Sequence, residues 1–383
     1  MQNDNSNPDL TSSIYGRQSM VYAATPKLLE SSPEPAVQTH QFEFTGTANE
    51  YFRIWIVNVF LSVITLGIYS AWAKVRTRQY FYANTKLDGH PFEYLGNPIA
   101  ILKGNLVVGL GAFLYSVAQR FNPFISIGIA VVGYCVFPFL IYQSLRFMAT
   151  NSSYRNIRFR FHGKLRASYV EYFLFPILIL FSGGLIFPYI QFRQHQYLLN
   201  NAAYGTSRNS FNGVSSHYFG VYFRVFLIVI ATYAVLIAVG AAIFFNFRPS
   251  RFGTGVPDLL TIYLLLIPIY IVLLGMGAVV QQYAYVNIHN YMFKESGVTG
   301  KIRFVSRLDT WEMVKLQIVN LLAIIFSLGL LSPWAKVRRT QYILSNMTVI
   351  SNGGLEDVVA DVYEEQSAVG DAVTDYFNVD FGL

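Results

Sequence analysis

Two closely similar phrases of basic and aromatic residues are the part of this sequence best suited to bind a ligand. The phrase "IYSAWAKVRTRQY" begins at Ile68, and "LLSPWAKVRRTQY" begins at Leu330. Lys and Arg bind phosphate and carboxylate groups, and Trp and Tyr are enriched at the headgroup level of membranes. The phrases therefore predict a site for anionic phospholipid or another anion. The candidate residues are Trp72, Lys74, Arg76, Arg78, Trp334, Lys336, Arg338 and Arg339.

Catalytic chemistry finds little support in the sequence. None of the six histidines forms a short-spaced pair with another His, a Cys or a carboxylate that is typical of a zinc site. The sequence has neither the G-x-S-x-G nucleophile motif nor a glycine-rich phosphate loop. The single cysteine, Cys135, excludes a disulfide framework. We therefore expect no enzyme activity, no metal site and no other cofactor.

The elements that position the two phrases are predicted to lie in a membrane. Hydrophobic residues make up 53% of the 383 residues and charged residues 13%, whereas soluble domains carry about 25% charged residues. A membrane-spanning helix needs ~20 mostly apolar residues. Seven segments have this character: 54–71, 99–119, 123–145, 172–190, 219–245, 258–286 and 314–333. The predicted fold class is a polytopic α-helical membrane protein.

The first, fourth and seventh segments are shorter than the others and end at a Gly or Pro. They are also related: residues 69–84 resemble residues 331–346, and more weakly residues 187–201, where Tyr189 and Gln191 replace the Trp and Lys. We interpret this as three related broken-helix units with inserted helix pairs. The units cover about 40–98, 157–213 and 301–350, and the inserted pairs cover 99–145 and 219–286.

Short stretches of alternating apolar and polar residues flank these units, which predicts β-strands or hairpins. The stretches are "FEFTG", "FEYLG", "IRFRFHG", "NSFNG" and "KIRFVS". Open strand edges are not tolerated in lipid, so we expect a small layer of strands at the cytoplasmic face. Outside the membrane domain of residues 40–350 we predict a disordered N-terminal tail, 1–39, and an acidic C-terminal tail, 351–383.

The distribution of Lys and Arg predicts the orientation. If the three short segments enter and leave on the same side, 22 of the 28 basic residues share that side. Basic residues concentrate on the cytoplasmic side of membrane proteins. We therefore expect four full spans, three re-entrant segments and cytoplasmic termini. Because the basic residues lie at the ends of apolar segments, we expect no nucleic-acid partner.

Four polar residues inside or beside the apolar segments are further candidates: Asn58, Asn320, Lys103 and Asn105. Polar groups at membrane depth could line a path for a solute. The alternative is structural, since Asn commonly forms hydrogen bonds between helices and Lys can extend to the interface. The sequence favours the structural interpretation for these residues.

The chain resembles the YjgN-like inner-membrane proteins, a bacterial family defined mainly as a domain of unknown function. The resemblance rests on "VITLGIYSAWAKVRTRQYFYANTKLDGHPFEYLGNPIAILKG" (63–104) and on "LGLLSPWAKVRRTQY" (328–342). It covers about residues 40–350. It implies a location in the bacterial inner membrane, and it implies no reaction, ligand or catalytic residue.

Two functions remain open at this point. The first is a transporter or channel for a small anionic or lipid-like solute, because the broken helices carry basic ends. The alternative is a membrane scaffold that binds anionic phospholipid and docks a cytoplasmic protein through the acidic tail. An enzyme that acts on lipid is the least supported.

Overall fold

The computed structural model describes residues 37–246, 259–298 and 301–352, without the side chains of 243–265. Most of the two predicted tails lies outside the described residues. Their boundaries shift slightly, because the first strand begins at Val37 and the last strand reaches Asn352. Residues 37–39 and 351–352 therefore belong to the folded part, contrary to the predicted limits of the tails.

Ten short antiparallel strands form a closed barrel. Each strand pairs with the next one in the chain, and the last strand pairs with the first along Val37–Gln41 and Thr348–Asn352. The strands are β1 (Val37–Phe44), β2 (Thr85–Leu87), β3 (His90–Tyr94), β4 (Ser152–Tyr154), β5 (Ile157–Phe161), β6 (Ala202–Tyr204), β7 (Ser207–Phe211), β8 (Ser296–Val298), β9 (Ile302–Ser306) and β10 (Met347–Asn352). The five stretches of alternating residues correspond to the odd-numbered strands. They join in one barrel instead of forming separate hairpins, because the even-numbered strands close the gaps between them.

The interior of the barrel is packed with side chains. A buried cluster of Leu87, Tyr154, Val298, Ile302 and Val349 fills it, with aromatic rings packed around this cluster. The ring of Phe92 stacks on that of Tyr154 with 4.7 Å between centroids. Large side chains are needed here because the diameter of a barrel grows with its strand number. The barrel is therefore a core, not a water-filled channel.

A pair of helices separates each odd-numbered strand from the next even-numbered strand. The pairs are α1 (Ala48–Ile64) with α2 (Ser70–Ala83), α3 (Pro98–Phe121) with α4 (Pro123–Thr150), α5 (Leu165–Tyr169) and α6 (Phe175–Ser182) with α7 (Phe187–Asn201), α8 (Ser215–Asn246) with α9 (Leu259–Lys294), and α10 (Thr310–Phe326) with α11 (Ser332–Ser345). A π-helical turn, Val170–Leu174, joins α5 to α6.

All five helix pairs extend from one rim of the barrel. Each pair leaves from the end of one strand and returns to the start of the strand that is paired with it, as Phe44 pairs with Thr85. The backbone N–H that follows the first strand donates to a carbonyl at the C-terminal end of the second helix, at 2.8 to 3.0 Å. These bonds join Thr45 to Asn84, Leu95 to Asn151, His162 to Asn201, Asn212 to Glu295, and Arg307 to Asn346. The turns between hairpin strands and the two paired ends, Val37 and Asn352, lie at the opposite rim.

The helices form a closed ring in chain order. Each helix packs against its neighbours along the chain, and α11 packs against α1. Five segments of the described chain are long and apolar enough to cross a membrane: Pro98–Phe121, Pro123–Thr150, Leu165–Ser182, Ser215–Ala242 and Leu266–Lys294. Four of them match the long predicted segments. The third overlaps a predicted re-entrant segment; it is helical through α5, the π-helical turn and α6, and α7 then returns to the barrel.

The three shorter helix pairs share one turn at the end far from the barrel. The two central residues of each turn have positive φ. They are Leu66 and Gly67 in the first turn, Gly183 and Gly184 in the second, and Leu328 and Gly329 in the third. A hydroxyl group in each turn accepts a hydrogen bond from the backbone N–H four residues later, as Thr65 does from Tyr69 at 2.9 Å. Ser182 and Ser327 accept in the same way from Ile186 and Leu331. Such internal bonds allow a turn within lipid, where water is absent. Leu66 and Leu328 at the tips are 94% exposed.

Candidate functional site

The two basic-aromatic phrases lie on α2 and α11, with α1 packed between these helices. Lys336 on α11 reaches across α1, and its ammonium nitrogen lies 5.5 Å from the ring centre of Tyr51 and 4.7 Å from that of Phe81. Desolvation and the nearby charge of Arg78 lower the pKa of Lys336. The structure therefore brings the two phrases, 262 residues apart in the sequence, to one side of the helix ring.

The basic residues of the first phrase differ in how far their side chains are exposed. The Arg78 guanidinium donates to the Tyr94 hydroxyl at 2.7 Å and stacks on its ring. Arg78 therefore fastens α2 to β3 and has little freedom to bind a ligand. Arg76 donates to the Tyr69 hydroxyl at 3.1 Å. Lys74 and Arg76 are exposed, and the Trp72 ring stacks on Tyr69.

The second phrase lines a cavity. The guanidinium of Arg338 lies 5.1 Å from the centre of the Trp334 ring. Both side chains face a cavity of about 360 Å³ between α11 and the loop that joins β1 to α1. The lining is completed by Gln341, Val337 and residues 44–48. Arg339 points elsewhere, because it donates to Gln317 at 3.3 Å and lies over the Tyr285 ring.

The loop residues of this cavity form the N-terminus of α1. Thr47 is the N-cap, and its hydroxyl accepts from the Glu50 backbone N–H at 3.3 Å. The single proton of the Tyr80 hydroxyl is shared between the Thr47 carbonyl at 2.8 Å and the Glu50 carboxylate at 3.2 Å. Burial and the bond to Glu50 raise the pKa of Tyr80 to about 12, so the hydroxyl stays protonated.

The cavity combines groups that suit an anion. A helix N-terminus carries a partial positive charge, and a guanidinium group binds phosphate or carboxylate oxygens. Gln341 adds an amide, and Trp334 adds an indole ring of the kind found at the headgroup level. The sequence analysis identified Trp334 and Arg338 but not Gln341 or the loop. The signal for the loop was present in Thr47 and Glu50, which have the spacing of an N-terminal capping box.

The two asparagine candidates hold helix pairs together. The Asn58 amide donates to the Ala73 carbonyl at 3.4 Å, and the Asn320 amide donates to the Ala335 carbonyl at 3.2 Å. Both side chains are at most 5% exposed, and the side-chain oxygen of each has no hydrogen-bond partner among the described residues. Lys103 and Asn105 are exposed on α3. The four polar candidates therefore do not form one site.

A buried ion pair was missed by the sequence analysis. The Arg193 guanidinium on α7 donates to the Glu171 carboxylate at 2.6 Å, and the Gln194 amide donates to the Glu171 carbonyl at 3.2 Å. The Glu171 side chain is 5% exposed and lies in the π-helical turn. The available signal was an acidic residue directly before an apolar segment. Among the described residues, no group of three or more His, Cys, Asp or Glu side chains could hold a metal ion.

These features define a class: a helical integral membrane protein with a packed strand barrel at one end and an anion-suited cavity beside it. The chain belongs to the family described as "Bacterial protein of unknown function (DUF898)", which matches residues 39–376.

Curated relatives from more than one bacterium carry the name Inner membrane protein YjgN. The protein from Escherichia coli strain K12 is 31% identical over 157 residues, 39% of this chain and 38% of its own. The protein from Salmonella typhimurium is 31% identical over 143 residues, 37% of this chain and 36% of its own. The chain thus spans less than two fifths of the length of the curated relatives it matches. No solved structure is significantly similar.

Proposed function

We propose that this protein is an inner-membrane protein that binds the anionic headgroup of a lipid in the cavity between α11 and the N-terminus of α1. The observation that carries the proposal is the convergence of Arg338, Trp334 and the first turn of α1 on one cavity of about 360 Å³. The cavity lies near the rim from which the helices emerge, which is the depth of headgroups if the barrel stands outside the bilayer.

The proposed orientation places the barrel and both termini in the cytoplasm. All five helix pairs begin and end at one rim. The strands therefore lie on the same side of the membrane, however deeply each helix pair is inserted. The bias of 22 basic residues then assigns that side to the cytoplasm. The exposed apolar tips at Leu66 and Leu328 support partial insertion of the short pairs. The turn that these pairs share supports the interpretation of three related units.

A transport role for a small anionic or lipid-like solute is the more specific form of this proposal. The packed interior of the barrel argues against a path along its axis. A solute would instead enter sideways, between the helices, at the level of the headgroup cavity. This favours a lipid-like solute, which already lies in the bilayer, over an ion that must cross from water.

The alternative is a scaffold that binds anionic phospholipid without moving it. Its second element, a cytoplasmic protein held by the acidic tail 353–383, falls outside the described residues. The headgroup cavity serves either role, so the binding step can be tested before the two are separated.

The test is the amount of phosphatidylglycerol that co-purifies with the full chain in mild detergent, measured by mass spectrometry. We expect Arg338→Gln to lower the retained lipid at least fivefold. Arg160→Gln is the matched control, because Arg160 is exposed on β5 and its loss changes the net charge equally. Equal loss in both variants, or no loss in either, would refute the proposed site. Movement of a fluorescent phospholipid between leaflets of reconstituted vesicles then distinguishes transport from scaffolding.

A further inference from the structure

A second cavity, of about 490 Å³, lies between α7, α8 and α9. Its lining along α9 runs from Val280 to Met292, a length of about 18 Å at the helical rise. Met292 lies four residues before β8, so the cavity starts close to the barrel rim and extends away from it. Much of the lining is apolar. Among the described residues, no Lys, Arg, Asp or Glu lines this cavity.

The hydrogen bonds of His195 indicate which ring nitrogen carries the proton. Its Nδ1 lies 2.9 Å from the hydroxyl of Tyr218. Tyr218 is fully buried, and its hydroxyl has no other acceptor among the described residues. A buried hydroxyl donates where it can, so Tyr218 donates to Nδ1 and the proton of His195 lies on Nε2. His195 therefore presents a donor to the cavity.

The hydrogen bonds of His289 indicate the opposite tautomer. Its Nδ1 lies 3.1 Å from the Ser306 hydroxyl oxygen. The Ser306 hydroxyl donates its only proton to the Asn290 side-chain oxygen at 2.7 Å, so it acts as an acceptor toward His289. Nδ1 of His289 then carries the proton, and Nε2 presents a lone pair. The cavity thus holds one imidazole donor and one imidazole acceptor.

A third polar group has a fixed orientation. The Tyr222 hydroxyl donates to the Gln191 side-chain oxygen at 2.7 Å. This leaves the amide NH₂ of Gln191 available to a ligand as a second donor. Tyr222, Gln281 and Tyr285 add further neutral polar groups to the lining, between the apolar side chains of α8 and α9. An uncharged lining that offers both donors and acceptors matches an alcohol, whose oxygen accepts and whose hydrogen donates.

We propose that this second cavity binds an uncharged lipid with a free hydroxyl group, of the acylglycerol type. The hydroxyl oxygen accepts from His195, its hydrogen is donated to Nε2 of His289, and the acyl chain lies along the apolar residues of α8 and α9. Burial lowers the pKa of His195 to about 4, so its ring is neutral near pH 7 and offers no charge to an anion. The site is separate from the headgroup cavity on α11 and does not depend on the function proposed for it.

The experiment measures binding of 1-oleoylglycerol to the purified full chain by native mass spectrometry, beside methyl oleate and oleate at equal concentration. Methyl oleate keeps the chain but lacks a hydroxyl, and oleate is charged. We expect 1-oleoylglycerol to bind at least tenfold more tightly than either. Equal binding of 1-oleoylglycerol and methyl oleate would overturn the proposal, since it would show an apolar cleft without polar recognition.

Variants locate the site. His195→Phe and His289→Phe should each weaken binding of 1-oleoylglycerol at least fivefold, with His195→Gln and His289→Gln used if the first pair fails to fold. His90→Phe is the matched control, since His90 is exposed on the barrel. Arg338→Gln should keep full binding of 1-oleoylglycerol whether or not it loses phosphatidylglycerol. Full binding by folded variants at both positions, or loss in His90→Phe, would refute the assignment.

Discussion

The ammonium nitrogen of Lys336 lies 4.7 Å from the centre of the Phe81 ring. Lys336 belongs to the last helix of the described chain and Phe81 to the second, so the contact lies where the two ends of the helix ring meet. The two basic-aromatic phrases are therefore not independent lipid anchors. One cation of the second phrase packs on the helix that carries the first.

Replacement of Lys336 by Ala should destabilise the protein by about 0.5 to 2 kcal/mol, the range of cation–π contacts. Lys74 is the matched control: it holds the corresponding place in the first phrase but is exposed, so Lys74→Ala should have little effect. Thermal unfolding in one detergent measures both variants. A larger loss in Lys74→Ala would contradict the role given to Lys336.

Replacement of Asn58 or Asn320 by Ala should lower stability without changing lipid retention. Each amide donates to one backbone carbonyl of the partner helix, and such bonds in membrane proteins contribute about 0.6 to 2 kcal/mol. Unfolding and retained phosphatidylglycerol are measured on the same preparations. Loss of lipid at unchanged stability would favour the polar path considered in the sequence analysis.

Replacement of Glu171 by Gln should destabilise the protein because the Arg193 charge loses its partner. Breaking a fully buried pair costs about 3 to 5 kcal/mol, and we expect about 1 to 3 kcal/mol here because the Arg193 side chain is 34% exposed. The double variant Glu171→Leu/Arg193→Met should recover most of the loss. Denaturation of Glu171→Leu, Arg193→Met and the double variant tests this; an additive loss in the double variant would contradict the pairing.

Replacement of Gly163 by Ala should disturb the junction between β5 and the third helix pair. An added Cβ would meet the Phe161 ring and the Tyr197 hydroxyl, and this hydroxyl donates to the Lys164 carbonyl at 3.1 Å. Overpacking of this kind costs about 1 to 3 kcal/mol. Gly104→Ala is the control, since nothing lies within 4 Å of its Cβ position. Comparable melting temperatures of the two variants would show that the junction tolerates a side chain.

Cysteine labelling tests the orientation in a Cys135→Ser background. Asn156→Cys and Arg208→Cys lie on the barrel and should react with an impermeant maleimide only from the cytoplasmic side. Arg120→Cys, near the end of α3, should react only from the opposite side. Labelling of Asn156→Cys and Arg208→Cys from different sides would exclude the proposed topology.

Much of the helical arrangement was predictable from hydropathy, because long apolar runs and their Gly or Pro breaks are local features. The break at Gly329 is an example, since α10 ends at Phe326 and α11 begins at Ser332. The closed barrel was not predictable. Strands such as Ser152–Tyr154 and Ala202–Tyr204 have three residues, too few to show alternation.

The candidate site was predictable in its residue types but not in its geometry. Trp334 and Arg338 were identified because they belong to a basic-aromatic phrase that occurs twice in the chain. Their partner surface, the loop from β1 to α1, comes from the other end of the chain. The second cavity was not predictable for a similar reason. His195 and His289 belong to different helix pairs, so only the folded structure brings them to one cavity.

The pairing of β1 with β10 also has a consequence for biosynthesis. Among the described elements, β10 is translated after every helix, so the barrel cannot close on β1 until all the helices have been synthesised. Premature termination before Met347 would leave the edges of β1 and β9 without a partner strand. A circular permutant with its two ends joined and new ends between Arg155 and Asn156 would make a different strand pair the last to form. We expect it to assemble the same barrel, which would show that the order of strand synthesis does not determine the final structure.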